Sequence, residues 1–221
     1  MSTHVLLRDV SFQPAGTGVP LISGCSLRFS RGLSLITGRS GCGKTTALSL
    51  IAGLAEPSIG HLSVGDIDVS TPASVRRSRV TLVFQFPERH FLGASVGDEL
   101  SIGWPRGTAE RSALLLQASI LLRAVGLTHL SASTRLRDLS GGTQRRLALA
   151  IALMRTTPVL LLDEPLAGLD GPARRAVASL VAVVAQTRTV VVATHEDRSD
   201  WLEAQRVEMF AGGIRQLITS D

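Results

Sequence analysis

Four short stretches of this 221-residue chain are almost continuously apolar: Gly32–Thr37, Val80–Phe84, Pro158–Leu162 and Thr189–Ala193. Runs of this length without a polar face belong to strands covered on both sides, which is the habit of parallel sheets. Each is followed by a segment carrying chemistry, in turn a glycine-rich loop, a Gln, two carboxylates and a His, so reactive groups should collect at the carboxyl ends of buried strands. Residues 3–30 alternate in strand fashion, interrupted at Pro14-Ala-Gly-Thr-Gly18, and residues 59–70 read as short strands with turns. Both are expected to form an antiparallel flank.

Between Pro87 and Leu139 the period changes. Leu114, Ala118, Leu121, Leu122 and Val125 recur at helical spacing with no buried strand among them, which predicts a helical insert. A second helix should carry Leu147, Ile151 and Met154 on one stripe, and a third should cover about Pro172–Ala185. With no internal repeat or low-complexity linker, the chain reads as one domain, 1–221. Its core and flank fall at 1–86 and 156–221, and the helical insert at 87–155.

At this length a single core buries most of the surface of the unfolded chain. Two cysteines, Cys25 and Cys42, are too few for a disulfide framework and suit a reducing compartment. The beginning of the chain lacks a sustained apolar segment, so no secretory signal is expected. No run reaches the roughly 18 uncharged apolar residues of a membrane helix. The net charge of +5 comes almost wholly from arginines, since Lys44 is the only lysine. They lie in ones and twos without interleaved aromatics, which argues against a nucleic-acid partner.

Gly38-Arg39-Ser40-Gly41-Cys42-Gly43-Lys44-Thr45, with Thr46 after it, lies between a predicted strand and a predicted helix. Such a loop turns backbone N–H groups onto phosphate oxygens, with the Lys on the outer phosphates and the Thr hydroxyl on Mg²⁺. Val159-Leu-Leu-Leu-Asp163-Glu164-Pro165 ends a strand in two carboxylates: Asp163 is a candidate Mg²⁺ ligand, and Glu164 a candidate base for the attacking water. Gln85 can reach Mg²⁺ or that water from a third strand end, and His195 can reach the terminal phosphate from a fourth.

The octapeptide Leu139-Ser-Gly-Gly-Thr-Gln-Arg-Arg146 resembles the signature of the ATP-binding cassette (ABC) ATPases, and the other motifs follow in that family's order over nearly the whole chain. The resemblance implies a P-loop NTPase (RecA-like) α/β fold, a parallel-sheet core with an antiparallel β flank and an inserted α-helical subdomain. It further implies ATP and Mg²⁺, and a head-to-tail dimer in which Ser140, Gly141 and Gly142 face the nucleotide of the second copy. Asp170, in Ala167-Gly-Leu-Asp170, would sense that copy. The run Val83-Phe-Gln-Phe-Pro-Glu-Arg-His-Phe91 with Ser95-Val-Gly-Asp-Glu-Leu100 is similar to energy-coupling-factor and cobalt or nickel importers. That likeness implies integral membrane transporter subunits and a peripheral location on the cytoplasmic face of the membrane. A small exporter cassette is the alternative, and a soluble non-transport cassette is a third.

Three positions depart from the pattern. Pro14 stands where such importers place an adenine-stacking aromatic, and the chain has no tyrosine, so weak discrimination between ATP and GTP is expected unless Phe12 substitutes. Thr143 occupies the usual Gln position of the signature, with Gln144 one later, which predicts altered ribose contacts. Cys42 sits within the phosphate loop, so alkylation that blocks activity and is prevented by ATP would mark it as exposed to the ligand.

Overall fold

All four apolar runs are parallel neighbours in one six-stranded sheet of the computed structural model, which describes residues 4–68, 71–102, 108–195, 201, 204–210 and 213–217. The expectations for residues 69–70 and 103–107 lie outside the described residues. By their internal contacts the residues fall into two units, 1–85 with 157–165 and 181–221, and 86–156 with 166–180.

The first unit carries both sheets. Strands β1 (Val5–Phe12), β2 (Ile22–Phe29), β3 (Gly32–Thr37), β4 (Ile59–Val64), β5 (Ile67–Asp68), β6 (Val80–Val83), β7 (Val159–Asp163), β8 (Thr189–Thr194), β9 (Gln205–Phe210) and β10 (Gly213–Leu217) divide between them. The larger sheet runs β10-β9-β3-β8-β7-β6, parallel throughout except for the antiparallel β9–β10 pair. Every residue of β7 and β8 is buried, which is why those runs show no polar alternation. The smaller sheet, β2-β1-β4-β5, is antiparallel and alternates as one-faced burial requires.

Helix α1 (Lys44–Ala52) touches β6, β7 and β8 of one sheet and β4 of the other, so Leu48, Leu50 and Ile51 are fully buried between them. A short helix α2 (Ala73–Arg77) precedes β6. The second unit contains α3 (Val96–Ser101), α4 (Thr108–Ala124), α5 (Gly141–Met154) and two 3₁₀ turns, Pro87–His90 and Leu136–Asp138. Helix α6 (Gly171–Ala185) passes from the second unit into the first. On α4 the expected stripe is found in part: Ala118 and Leu121 are buried, as is Val125 just past its end, Leu114 and Leu122 are half-buried, and Leu115, Leu116 and Ile120 are exposed.

The C-terminal β9 and β10 were not anticipated. Only Val207 and Met209 of β9 are buried, alternating with Arg206 and Glu208, too short an alternation to stand out from the surrounding polar sequence.

Candidate functional site

Parallel register places β3, β8 and β7 side by side, with Thr37 opposite Thr194 and Asp163 opposite Ala193. The phosphate loop, His195 and the two carboxylates therefore leave adjacent strand ends on one side of the sheet. Together with Gln85 and Leu21 they line a cleft of about 260 Å³, whose loop residues are Ser40, Gly41, Gly43, Lys44, Thr45 and Thr46.

Backbone geometry explains the loop's composition. Gly38 has φ 154°, and a Cβ there would stand 2.2 Å from the Met209 carbonyl oxygen. Gly43 caps α1 at φ 103°, a left-handed conformation that a side chain resists. Cys42 differs from its neighbours: its side chain belongs to the hydrophobic core and its N–H donates to the Arg39 carbonyl at 3.3 Å. It reads as packing, so alkylation requires the loop to open first. Cys25 is also buried, and burial pushes its thiol up to about 11.

Lys44 is buried, its ammonium donating to the carbonyls of Gly38 at 2.8 Å and Arg39 at 3.2 Å. A buried cation held by neutral oxygens is poised for an anion. The Thr45 hydroxyl donates to Asp163 Oδ2 at 2.6 Å. Burial raises the Asp163 pKa above its ordinary value; the Thr45 bond opposes this, the Glu164 charge adds to it, and Lys44 opposes it.

Glu164 is one of two non-glycine residues with positive φ, at 49°, among those described. Sparse backbone conformations of this kind persist where the surroundings over-determine them. Here its N–H donates to the Ala193 carbonyl at 2.8 Å. Its carboxylate accepts from the Thr194 hydroxyl at 3.1 Å and from the His195 N–H at 3.0 Å. His195 Nδ1 lies 2.6 Å from Glu164 Oε1. The sequence assigned Glu164 to the attacking water and His195 to the terminal phosphate; the structure also bonds the two directly to each other.

In the second unit, Ser140 caps α5, its hydroxyl accepting from the Thr143 N–H at 3.3 Å and lying 2.9 Å from the Thr143 hydroxyl. A Cβ built on Gly141 or Gly142 meets nothing within 4 Å, and neither has a positive φ. Nothing among the described residues requires glycine there. Gln144 turns away from that end, donating to the Leu136 carbonyl at 2.8 Å, so it does not stand in for the signature Gln replaced by Thr143. Asp170 caps α6 through Oδ1 to the Ala173 N–H at 2.9 Å.

Two features escaped the sequence reading. Leu21 lines the cleft although no motif marks it, while Phe12 packs against the core and only its carbonyl reaches toward Leu21, accepting the Leu21 N–H at 2.9 Å. Glu99, read as part of an importer-like helix, is buried and accepts the N–H groups of Leu92 and Gly93 at 2.8 and 2.7 Å. Ser95 and Asp98 form a reciprocal capping box.

The sequence profile of the ABC transporter family matches residues 22–167, from β2 through the phosphate loop, the Ser140 helix and the carboxylate pair. The chain belongs to the ABC transporter family. ABC transporter I family member 11, chloroplastic, of Arabidopsis thaliana is 41% identical over 219 residues, covering 94% of this chain and 78% of its own. The energy-coupling factor transporter ATP-binding protein EcfA2 of Symbiobacterium thermophilum is 37% identical over 193 residues, 83% of this chain and 66% of that one. Among solved structures, a bacterial Atm1-family ABC exporter with ATP bound superposes with a TM-score of 0.83 at 20% identity, over 98% of this chain and 39% of that one. The likeness establishes the ABC ATPase fold.

Proposed function

We propose that this ABC cassette binds and hydrolyses ATP as the peripheral motor subunit of a membrane transporter, two copies closing head to tail on two nucleotides. The observation that carries the reading is the single cleft that joins Lys44, the Thr45–Asp163 pair and the Glu164–His195 pair.

Loop N–H groups and Lys44 bind the triphosphate. The Thr45 hydroxyl and Asp163 carboxylate are two hard oxygen donors in contact, which suits Mg²⁺, and that ion when bound supplies charge neutralisation of the outer phosphates. Glu164 orients the attacking water and takes its proton, its carboxylate fixed by Thr194 and by His195. His195, anchored at Nδ1, leaves its second ring nitrogen for the terminal phosphate. Gln85, on the cleft wall, registers that phosphate from beyond the end of β6.

The bare Gly141 and Gly142 support the second copy. A helix start with open space around its two glycines fits a phosphate brought by a partner. Removing a phosphate gripped by both copies releases the closed state, which turns hydrolysis into motion. Replacing Glu164 by Gln keeps an acceptor for the Thr194 hydroxyl and removes the base. Turnover is expected to fall by about 10²–10⁴, and an ATP-dependent dimer is expected on size exclusion. A variant that stays monomeric at saturating ATP and Mg²⁺ would falsify the shared-nucleotide arrangement.

The transporter is proposed to be an energy-coupling-factor importer of a vitamin or transition-metal ion. Support comes from the run Gln85–Glu88 and from a groove of about 520 Å³ in the second unit, lined by Glu88, Phe91, Gly93, Ala94, Arg135 and Gln144 among others. Beside it the Leu92 side chain is 82% exposed on the loop that Glu99 braces. No helix among the described residues is long and apolar enough to cross a membrane, and the membrane path is proposed to lie in partner subunits. The exporter alternative uses the same cleft; the proteins that co-purify from detergent-extracted membranes separate the two, since an importer brings a small solute-binding membrane protein.

A further inference from the structure

The cleft uses none of a second polar cluster that lies wholly within the second unit. Arg145, on α5, is 9% exposed, a level arginines rarely reach unless paired. Its Nη2 lies 3.6 Å from Glu88 Oε1 in the 3₁₀ turn that begins two residues after Gln85. Its guanidinium carbon stands 5.3 Å from the centre of the Phe86 ring, which Arg89 approaches at 4.5 Å. Its Nη1 donates to the Ala167 carbonyl, in the turn leading to Asp170. A Cβ on Gly168, at φ 72°, would come within 3.1 Å of the same nitrogen.

We propose that Arg145 is a positioning residue, one buried guanidinium holding three nucleotide-directed pieces as a single body: the segment after Gln85, the Ser140 helix and the Ala167-Gly168 turn. The proposal rests on the function given above and adds a role to a residue outside the phosphate, metal and water sites. Ser140 stands at the N-cap of the helix that carries Arg145, so a shift of that helix moves the partner-facing turn.

At 3.6 Å the ion pair is beyond hydrogen-bond distance, so neither bond of a bidentate arrangement is formed. Arg145 Nε and Glu88 Oε2 are both buried and have no hydrogen-bond partner among the described residues. Arginine and carboxylate reach full strength when two parallel N–H groups meet both oxygens. A small movement of the Glu88 turn against α5 completes or breaks that fork. On this proposal the open and the closed fork are the two arrangements between which the Gln85 segment selects, which is the physical requirement for coupling between sites.

The test compares Arg145→Met, Arg145→Lys, Glu88→Gln and the Arg145→Met/Glu88→Gln double variant of the whole chain. Nucleotide affinity, kcat and KM are measured, together with the ATP concentration that dimerises each variant in a Glu164→Gln background. Arg145→Met and Glu88→Gln are each expected to lower kcat about tenfold or more with nucleotide affinity within about threefold, because the phosphate contacts are untouched. Each should also raise the ATP needed for dimerisation. Arg145→Lys should recover part of kcat, since it keeps the charge opposite Glu88. The double variant should be no worse than the more damaged single one, the mark of groups acting through one contact.

Single variants that turn over at the wild-type rate, or losses that multiply in the double variant, overturn the proposal. Should Arg145→Met not fold, the near-isosteric Glu88→Gln decides by the same kcat and dimerisation criteria. Failure of the wild-type chain to hydrolyse ATP, or of Glu164→Gln alone to dimerise, would instead sink the functional reading.

Discussion

Asp163 shows how a site residue is held against its own interest. A carboxylic acid whose folded pKa lies above its unfolded value binds its proton more readily when folded, so the ionised form weakens the nucleotide-free fold at neutral pH. That penalty develops as pH rises from the ordinary carboxylate range near 3.8 through the raised folded value. Asp163→Asn keeps an acceptor for Thr45 and removes the charge. Its melting temperature without nucleotide should exceed that of wild type at pH 7, by about 2–4 °C for each kcal/mol recovered, with the gap closing in acid. ATPase activity should be lost. A variant less stable than wild type at pH 7 would refute the argument.

Another residue-scale consequence concerns the base. Pro14 offers no ring, and Phe12 is committed to the core, which leaves the aliphatic Leu21 as the cleft's apolar contact. ATP and GTP should bind with similar affinity in equilibrium titrations. Pro14→Tyr should tighten ATP by about 5–150-fold, the equivalent of 1–3 kcal/mol of aromatic stacking. An unchanged affinity would mean that the 13–20 turn does not reach the base.

Among elements, burial decided what the sequence made legible. β7 and β8 are buried at every position and announce themselves as unbroken apolar runs, and α5 and α6 start at Ser140 and Asp170, polar caps that mark where a helix can begin. β9 was missed because two inward residues, Val207 and Met209, cannot establish a period, and α2, five residues long, has no period to show. The cleft's members were readable because each follows such a run. Their mutual contacts were not: nothing in the spacing of Glu164 and His195 says that parallel register sets Asp163 beside Ala193 and so brings the two side chains together. The run Ser95–Glu99 was legible as a motif, but not that its acidic residues cap a helix and brace a loop.

For the molecule as a whole, one buried ammonium is also the only one on any side chain. A lysine-specific endoproteinase therefore has a single internal address, the bond between Lys44 and Thr45 at the first turn of α1, and cutting there must wait for that helix start to come undone. Digestion should yield two fragments, 1–44 and 45–221, at a rate set by how often the loop opens, and ATP with Mg²⁺ should slow it. Rapid cleavage indifferent to nucleotide would mean that the loop is loose before any ligand arrives. The arginine-rich surface thereby makes a common protease into a stopwatch for one turn of helix.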